Sequence, residues 1–218
     1  MSPPLGRPKR AERPEPSRKH LLAAAIDCFA RFGYQGTSID RIARHAGVTK
    51  GALYYHFRDK EELLYEAVSR RVGEFEQHVL AEVGPANDTL ASLKRVIDAC
   101  FFHATVSNHR RFIITLMIEA LDTNPQLSAK FQRILRRMRF FLADVVRRGQ
   151  EGGHVRRNVD PEQMAALIAA TIMGAEIQHY QDPQEVDLRR VLDTLVVQLG
   201  DWLMPRTHEV ASAGGITA

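Results

Sequence analysis

The chain has 218 residues, a formal charge of +4, 44% apolar residues and two cysteines, which suits one or two domains with a sizeable core. Its longest apolar run, 164–175, falls short of the roughly 18–20 residues that cross a membrane. The basic N-terminus has no apolar stretch of the secretory kind, so a cytoplasmic protein without membrane partners is expected.

Residues 1–16 are proline-rich and carry Arg7, Lys9, Arg10 and Arg13 without helical periodicity. They read as a disordered basic arm, either a solubilising tail or a strand reaching the minor groove of DNA. A first helix is predicted over 17–32, with Leu22, Ile26 and Phe29 on one stripe. Gly33 and Gly36 bracket the turn after it. Between Thr37 and Lys60 the pattern gives two short helices across a tight turn and the start of a third. Thr37 with Asp40 forms an Asp version of a capping box, Thr49 caps the second short helix, and Asp59 with Glu62 repeats the box ahead of Leu63. Gly47 sits where the first short helix must stop, in a left-handed conformation.

The helix that opens at Lys60 runs over 60–82 and ends at Gly84-Pro85. Further helices are predicted over 88–107, 110–121, 125–150, 161–180 and 186–203, broken at Asn124-Pro125 and Gly152-Gly153. No strand pattern and no repeat is visible, and the tail after Pro205 reads as disordered. The expected architecture is all-α. It has a three-helix DNA-binding domain with a helix-turn-helix over 17–71, then a helical bundle over 72–204.

Ile39, Ile42, Ala43, Ala46, Val48, Leu53 and Phe57 supply the apolar side of the helix-turn-helix. The second short helix then turns Thr49, Lys50, Gly51, Ala52, Tyr54, Tyr55 and His56 outward. Their hydroxyls, ammonium and imidazole suit phosphate oxygens, with Lys50, Gly51 and Ala52 nearest the bases. Lys60 stands in a helix first turn, where the dipole prefers anions, and an incoming phosphate would explain it. Thr37 and Ser38 complete the candidate DNA contacts. Residues 1–71 hold 14 Lys and Arg against 8 Asp and Glu, while the remainder holds 16 against 18. A basic N-terminal third on a near-neutral body is the footprint of a nucleic-acid binder.

The runs Gly36-Thr37-Ser38-Ile39, Ile42-Ala43, Ala46-Gly47-Val48-Thr49-Lys50-Gly51, Leu53-Tyr54-Tyr55-His56-Phe57 and Lys60-Glu61-Glu62-Leu63-Leu64 resemble the TetR family of bacterial transcriptional regulators. The likeness spans about 18–71, with Phe29 and Gly33-Tyr34, and departs only at Thr49, where the family often has serine. It implies a homodimer on a double-stranded DNA operator and a helical ligand-binding and dimerisation domain over 72–204 that senses a small-molecule effector. The function expected is a repressor that leaves a palindromic operator when ligand binds. The rivals are a regulator of the same fold without an effector and a helical protein that has lost DNA binding.

The resemblance also implies that the last two long helices pair with their copies across a two-fold axis. Ala169, Ala170 and Gly174 are small enough for close approach, and Leu192, Leu195, Val196, Leu199 and Trp202 give the last helix a stripe. The alternative is that both helices complete one monomer's core. For the effector, Phe101, Phe102, Met117, Phe131, Phe140, Met173 and Tyr180 are candidate apolar walls. The polar groups His103, Glu119, Glu176 and His179 are candidate recognition points. Glu119 and Glu176 could balance a cationic ligand or be ion-paired.

No cofactor or metal is expected. Glu176 and His179 form one E-x-x-H step without the second step and extra glutamates that a di-iron bundle uses. Histidines and cysteines nowhere fall at zinc spacing, and no phosphate loop, dinucleotide fingerprint or G-x-S-x-G turn occurs. Cys28 and Cys100 lie in apolar helical segments and read as buried thiols, with a disulfide as the alternative.

Overall fold

The computed structural model describes residues 17–83, 88–106 and 109–205; among them are nine helices and no strand. They are α1 (Arg18–Phe32), α2 (Ile39–His45), α3 (Lys50–His56), α4 (Lys60–Val83), α5 (Thr89–Val106), α6 (His109–Thr123), α7 (Pro125–Glu151), α8 (Pro161–Gln181) and α9 (Leu188–Leu203). The expected arm over 1–16, the Gly84-Pro85 stop and the tail beyond 205 lie outside the described residues.

Helix starts follow local chemistry. Ser17, Ser38, Thr49, Asn124, Asp160 and Asp187 each accept a hydrogen bond from a first-turn amide. Pro125 and Pro161 occupy first-turn positions where their missing N–H costs nothing. Gly47 has φ +68°, as its place at the end of α2 requires. At the start of α2 the expected box fails. Ser38, not Thr37, takes the Arg41 amide, and Asp40 pairs instead with Lys50, 3.0 Å away. Thr37 is buried, and its hydroxyl donates to the carbonyls of Gly33 (2.7 Å) and Cys28 (3.1 Å). It closes the open C-terminal end of α1, a role that needs the hydroxyl inside.

Two apolar cores result. The first gathers α1 to the beginning of α4, and Phe112, Ile113, Leu116, Ala120, Leu127 and Phe131 join it from α6 and α7. Phe29 stacks on Phe112 with ring centroids 6.0 Å apart. The second core is built from the later part of α4 with α5, α7, α8 and α9. A division at residue 71 therefore cuts a continuous helix, and α6, from beyond that point, packs into the first core. Cys28 and Cys100 are free buried thiols, Cys100 pushed up to about 12 by burial.

The dimer stripe expected on α9 faces inward except at Trp202. Leu192, Leu195 and Leu199 are buried in the protomer's own second core, as is Ala169 of α8, and Val196 packs partly against it. α5 and α8 of the same protomer cover this part of α9. What α8 and α9 leave outward is Leu167, Ala170 and Gly174 on one and Val191, Val197 and Trp202 on the other.

Gly149 marks the closest approach in the second core. A methyl there would collide with Thr89 Oγ1 and with Val155 Cγ2, neither a flexible chain end. Gly149→Ala is expected to destabilise the fold by about 1–3 kcal/mol, read as a lower thermal midpoint, without altering the N-terminal domain's surface.

Candidate nucleic-acid interface and ligand cavity

The α2–α3 unit is held from behind by three residues that leave its outer face open. Arg18 of α1 donates to the His56 carbonyl at the end of α3 and pairs with Glu62 and Glu66 of α4. Its guanidinium also lies 4.2 Å from the Phe57 ring. Lys60 Nζ donates to the carbonyls of Tyr34 (3.0 Å) and Thr37 (3.1 Å) and sits over the Tyr34 ring. That explains its place in a helix first turn without an outside phosphate. Thr37 closes the set from inside. Thr37 and Lys60, expected at the DNA surface, are thus internal fastenings of the turn between α1 and α2.

The other expected contacts lie outward. Ser38, Thr49, Lys50, Gly51, Tyr54 and Tyr55 are exposed, Tyr55 at 79%, while Ala52 and His56 are half-buried. Thr49 Oγ1 accepts from the Ala52 amide at 3.2 Å, which leaves its hydroxyl hydrogen free to donate. Lys50 is exposed, and the Asp40 carboxylate holds it protonated. The sequence reading missed Arg18, since a charged residue at a helix start has no apolar pattern to flag it.

The second feature is a cavity of about 280 Å³ lined by α4, α5, α6 and α7, with Met173 of α8 in its wall; exposed Leu80 and Arg137 stand at its open side. Phe75, Val79, Ile114, Met138 and Phe141 make it mostly apolar. Of the expected wall residues, His103, Met117 and Met173 are there. The rest are elsewhere. Phe131 lies in the N-terminal core, and Phe140 is 66% exposed on α7. Phe101 packs against the second core beneath Arg189, and exposed Phe102 makes an edge contact with His78. Glu119 is half-buried farther along α6. His179 Nδ1 lies 2.8 Å from the Val186 carbonyl, and the Tyr180 hydroxyl donates to that of Ala104. Amphipathic spacing marks burial but cannot say which of two cores a ring enters.

Glu176 is fully buried behind the wall. Both its oxygens accept from Arg110 Nε, at 3.0 and 3.1 Å, and Arg110 itself lines the cavity. Burial raises the Glu176 carboxyl above its ordinary value, with Arg110 pulling it back down. Burial works against the Arg110 charge too, but Glu176 outweighs it and keeps the guanidinium protonated. The E-x-x-H step is thereby spent on an ion pair and a helix-end contact. His103 Nε2 is 2.9 Å from His78 Nδ1. Burial, the nearby His78 and Arg110 push His103 below its ordinary 6.5.

An N-terminal helix-turn-helix carried on a helical body with a mostly apolar cavity is the architecture of a DNA-binding transcriptional regulator. Residues 21–67 match the model for bacterial regulatory proteins of the tetR family, and 90–201, more than half of the chain, match that for the C-terminal region of BetI-type transcriptional repressors. The chain belongs to the TetR family. It is 25% identical over 185 residues to the fatty acid metabolism regulator protein of Bacillus subtilis, covering 83% of this chain and 94% of that one. Its fold matches a Saccharomonospora viridis regulator crystallised with choline at TM-score 0.79, 24% identity, and 87% and 98% coverage. It also matches B. subtilis FadR with stearoyl-CoA at TM-score 0.73, 23% identity, and 84% and 97% coverage. These relatives are regulators, and no helix among the described residues is long and apolar enough to cross a membrane.

The two outward-pointing and inward-pointing sets separate in experiment. Tyr55→Ala is expected to change stability by no more than about 0.5 kcal/mol. Lys60→Ala should cost about 1–3 kcal/mol, because it strips a charged donor from two carbonyls; chemical denaturation of both variants checks the contrast. For His103, the depressed folded value means that the unfolded chain takes up the proton first. Its stabilising contribution is complete above the ordinary 6.5 and is lost as pH falls through the folded value. The thermal midpoint is expected to drop between about pH 7.5 and about pH 5, and less so in His103→Phe.

Proposed function

We propose that this chain is a homodimeric cytoplasmic repressor that holds a palindromic operator and releases it when a small molecule enters the α4–α7 cavity. The observation that carries the coupling is the double membership of α6. Ile113 lines the cavity and belongs to the N-terminal core, one residue from the Phe112 ring that stacks on Phe29 of α1. A ligand that widens the cavity pushes α6 against the domain that presents α3. It must bind the DNA-free state more tightly than the DNA-bound one, or it shifts nothing.

Dimerisation is supported by the outward faces of α8 and α9. They pack on each other and jointly expose Leu167, Val191, Val197 and Trp202 beside the small Ala170 and Gly174. A copy on that face buries the apolar surface and sets two recognition helices about 34–36 Å apart, one turn of DNA. DNA contact is assigned to Ser38, Thr49, Lys50, Gly51, Ala52, Tyr54, Tyr55 and His56. The reading as a regulator without an effector is disfavoured by the cavity, since effector-free control needs no apolar space of this size between the helices. The relatives' names point the same way, to a fatty acid metabolism regulator and to complexes with stearoyl-CoA and choline.

Selection of purified protein on a random duplex library at moderate salt, followed by sequencing, is expected to return a palindrome. Against that palindrome, Lys50→Ala should weaken binding and lower the slope of log K against log salt by about 1. Retention of DNA with no enriched sequence would defeat the operator reading.

A further inference from the structure

The charges around the cavity are unequally committed. Glu74 is held by Arg70 at 3.0 Å and Arg71 at 2.5 Å, and Glu76 by Arg137 at 2.6 Å. Every carboxylate in the wall therefore already has an arginine, and a cationic ligand must break an ion pair to find one. Arg110 is different. Its only side-chain hydrogen bonds among the described residues run from Nε to Glu176, and no protein acceptor takes its Nη1 or Nη2 groups there. Glu176 is fully buried outside the wall, while Arg110 is part of it. The pair is thus a fixed dipole whose positive end belongs to the cavity wall and keeps N–H groups that no acceptor among the described residues takes. Phe75 braces that guanidinium from one side, 5.2 Å from its ring centre.

Arg110 keeps only 15% of its side chain exposed, and Glu176 offsets the cost of that burial. A planar end-on guanidinium matches the two oxygens of a carboxylate, and charge-assisted bonds of this kind are roughly twice as strong as neutral ones. The remaining wall is aliphatic, aromatic and thioether. His103, kept neutral by burial, adds no competing charge.

We propose that the cavity's ligand is an organic acid with one apolar chain or ring body, its carboxylate docked end-on at the Nη groups of Arg110. The inference rests on the reading of this cavity as the effector site and names what enters it.

Three ten-carbon probes with the same tail separate the possibilities: decanoate, decan-1-ol and decyltrimethylammonium, each below its micelle concentration. Calorimetry on the full chain without DNA is expected to give decanoate a Kd at least about tenfold below the other two. Arg110→Met alone strands the buried Glu176 carboxylate and endangers the fold. The double variant Arg110→Leu with Glu176→Leu removes the pair whole, and its melting curve checks folding. In it decanoate binding should weaken at least tenfold while decan-1-ol is unchanged. Equal or tighter binding of the alcohol or the ammonium, no decanoate binding, or decanoate binding that survives the double substitution overturns the proposal. Operator release is read separately. If decanoate binds through Arg110 yet leaves DNA affinity unaltered, the release mechanism fails and the ligand class stands. If another compound releases the operator and decanoate does not bind, the ligand class fails and the release mechanism stands.

Discussion

The buried pair of Arg110 and Glu176 fixes where α6 can sit. An unpaired carboxylate at zero exposure would cost several kcal/mol, so α8 and α6 must keep these two side chains together. With one end of α6 held against α8, its next turn presents Phe112 to Phe29 of α1 and Ile113 and Ile114 to the cavity. Leu116 and Ala120 then continue along the N-terminal core. A single polar contact inside the ligand-binding body thereby sets the distance between that body and the DNA-binding domain. The helix most exposed to events in the cavity is also the one on which α1 rests.

On the other side of α1, the orientation of α3 depends on polar fastenings rather than on its own burial. Only Leu53 of its seven residues is buried. Arg18 grips the carbonyl end of α3 and the side of α4 at once, and Lys60 and Thr37 lock the turn that leads into α2. A short helix with one buried side chain would otherwise have little to define its angle. These contacts spend the polar groups nearest the domain's spine and leave the rest free. The surface then offers Lys50 and the two tyrosines to phosphates, with Tyr54 and Tyr55 adding flat faces and hydroxyls.

Helix content and boundaries were legible because each start carries its own signal. Asn124-Pro125, Asp160-Pro161 and Asp187 each put an acceptor just ahead of a good first turn, and the ends fell within two residues of expectation. What could not be read was which side of an amphipathic helix met which neighbour. Leu192, Leu195 and Leu199 form a stripe whether α5 or a second protomer covers it, and periodicity is the same in both cases. Phe131 and Phe141 share α7, yet one joins the N-terminal core and the other the cavity. Thr37 and Lys60 mislead for another reason. A hydroxyl and an ammonium serve equally well outside on phosphate or inside on a carbonyl. Only the chain's path past Gly33 and Tyr34 decides between them.

The helices around the cavity also differ in what they can yield. α5, α8 and α9 pack on one another, and α8 lies along α7, so a displacement of any of these would open the second core along its length. α4 and α7 have little backbone contact with one another, and Arg137 bridges them to Glu76 across the space beside the cavity. An exposed ion pair of this sort is worth at most about 1 kcal/mol, far less than a row of buried leucines. Expansion of the cavity therefore falls on α6, which contributes no residue to that core, and on the part of α4 that precedes its entry into the core at Val79. Both run directly into the N-terminal domain, α4 as one unbroken helix from Lys60 and α6 through Phe112. The compliance of the cavity and the position of the recognition helix are set by the same two elements, so the proposed release needs no additional hinge.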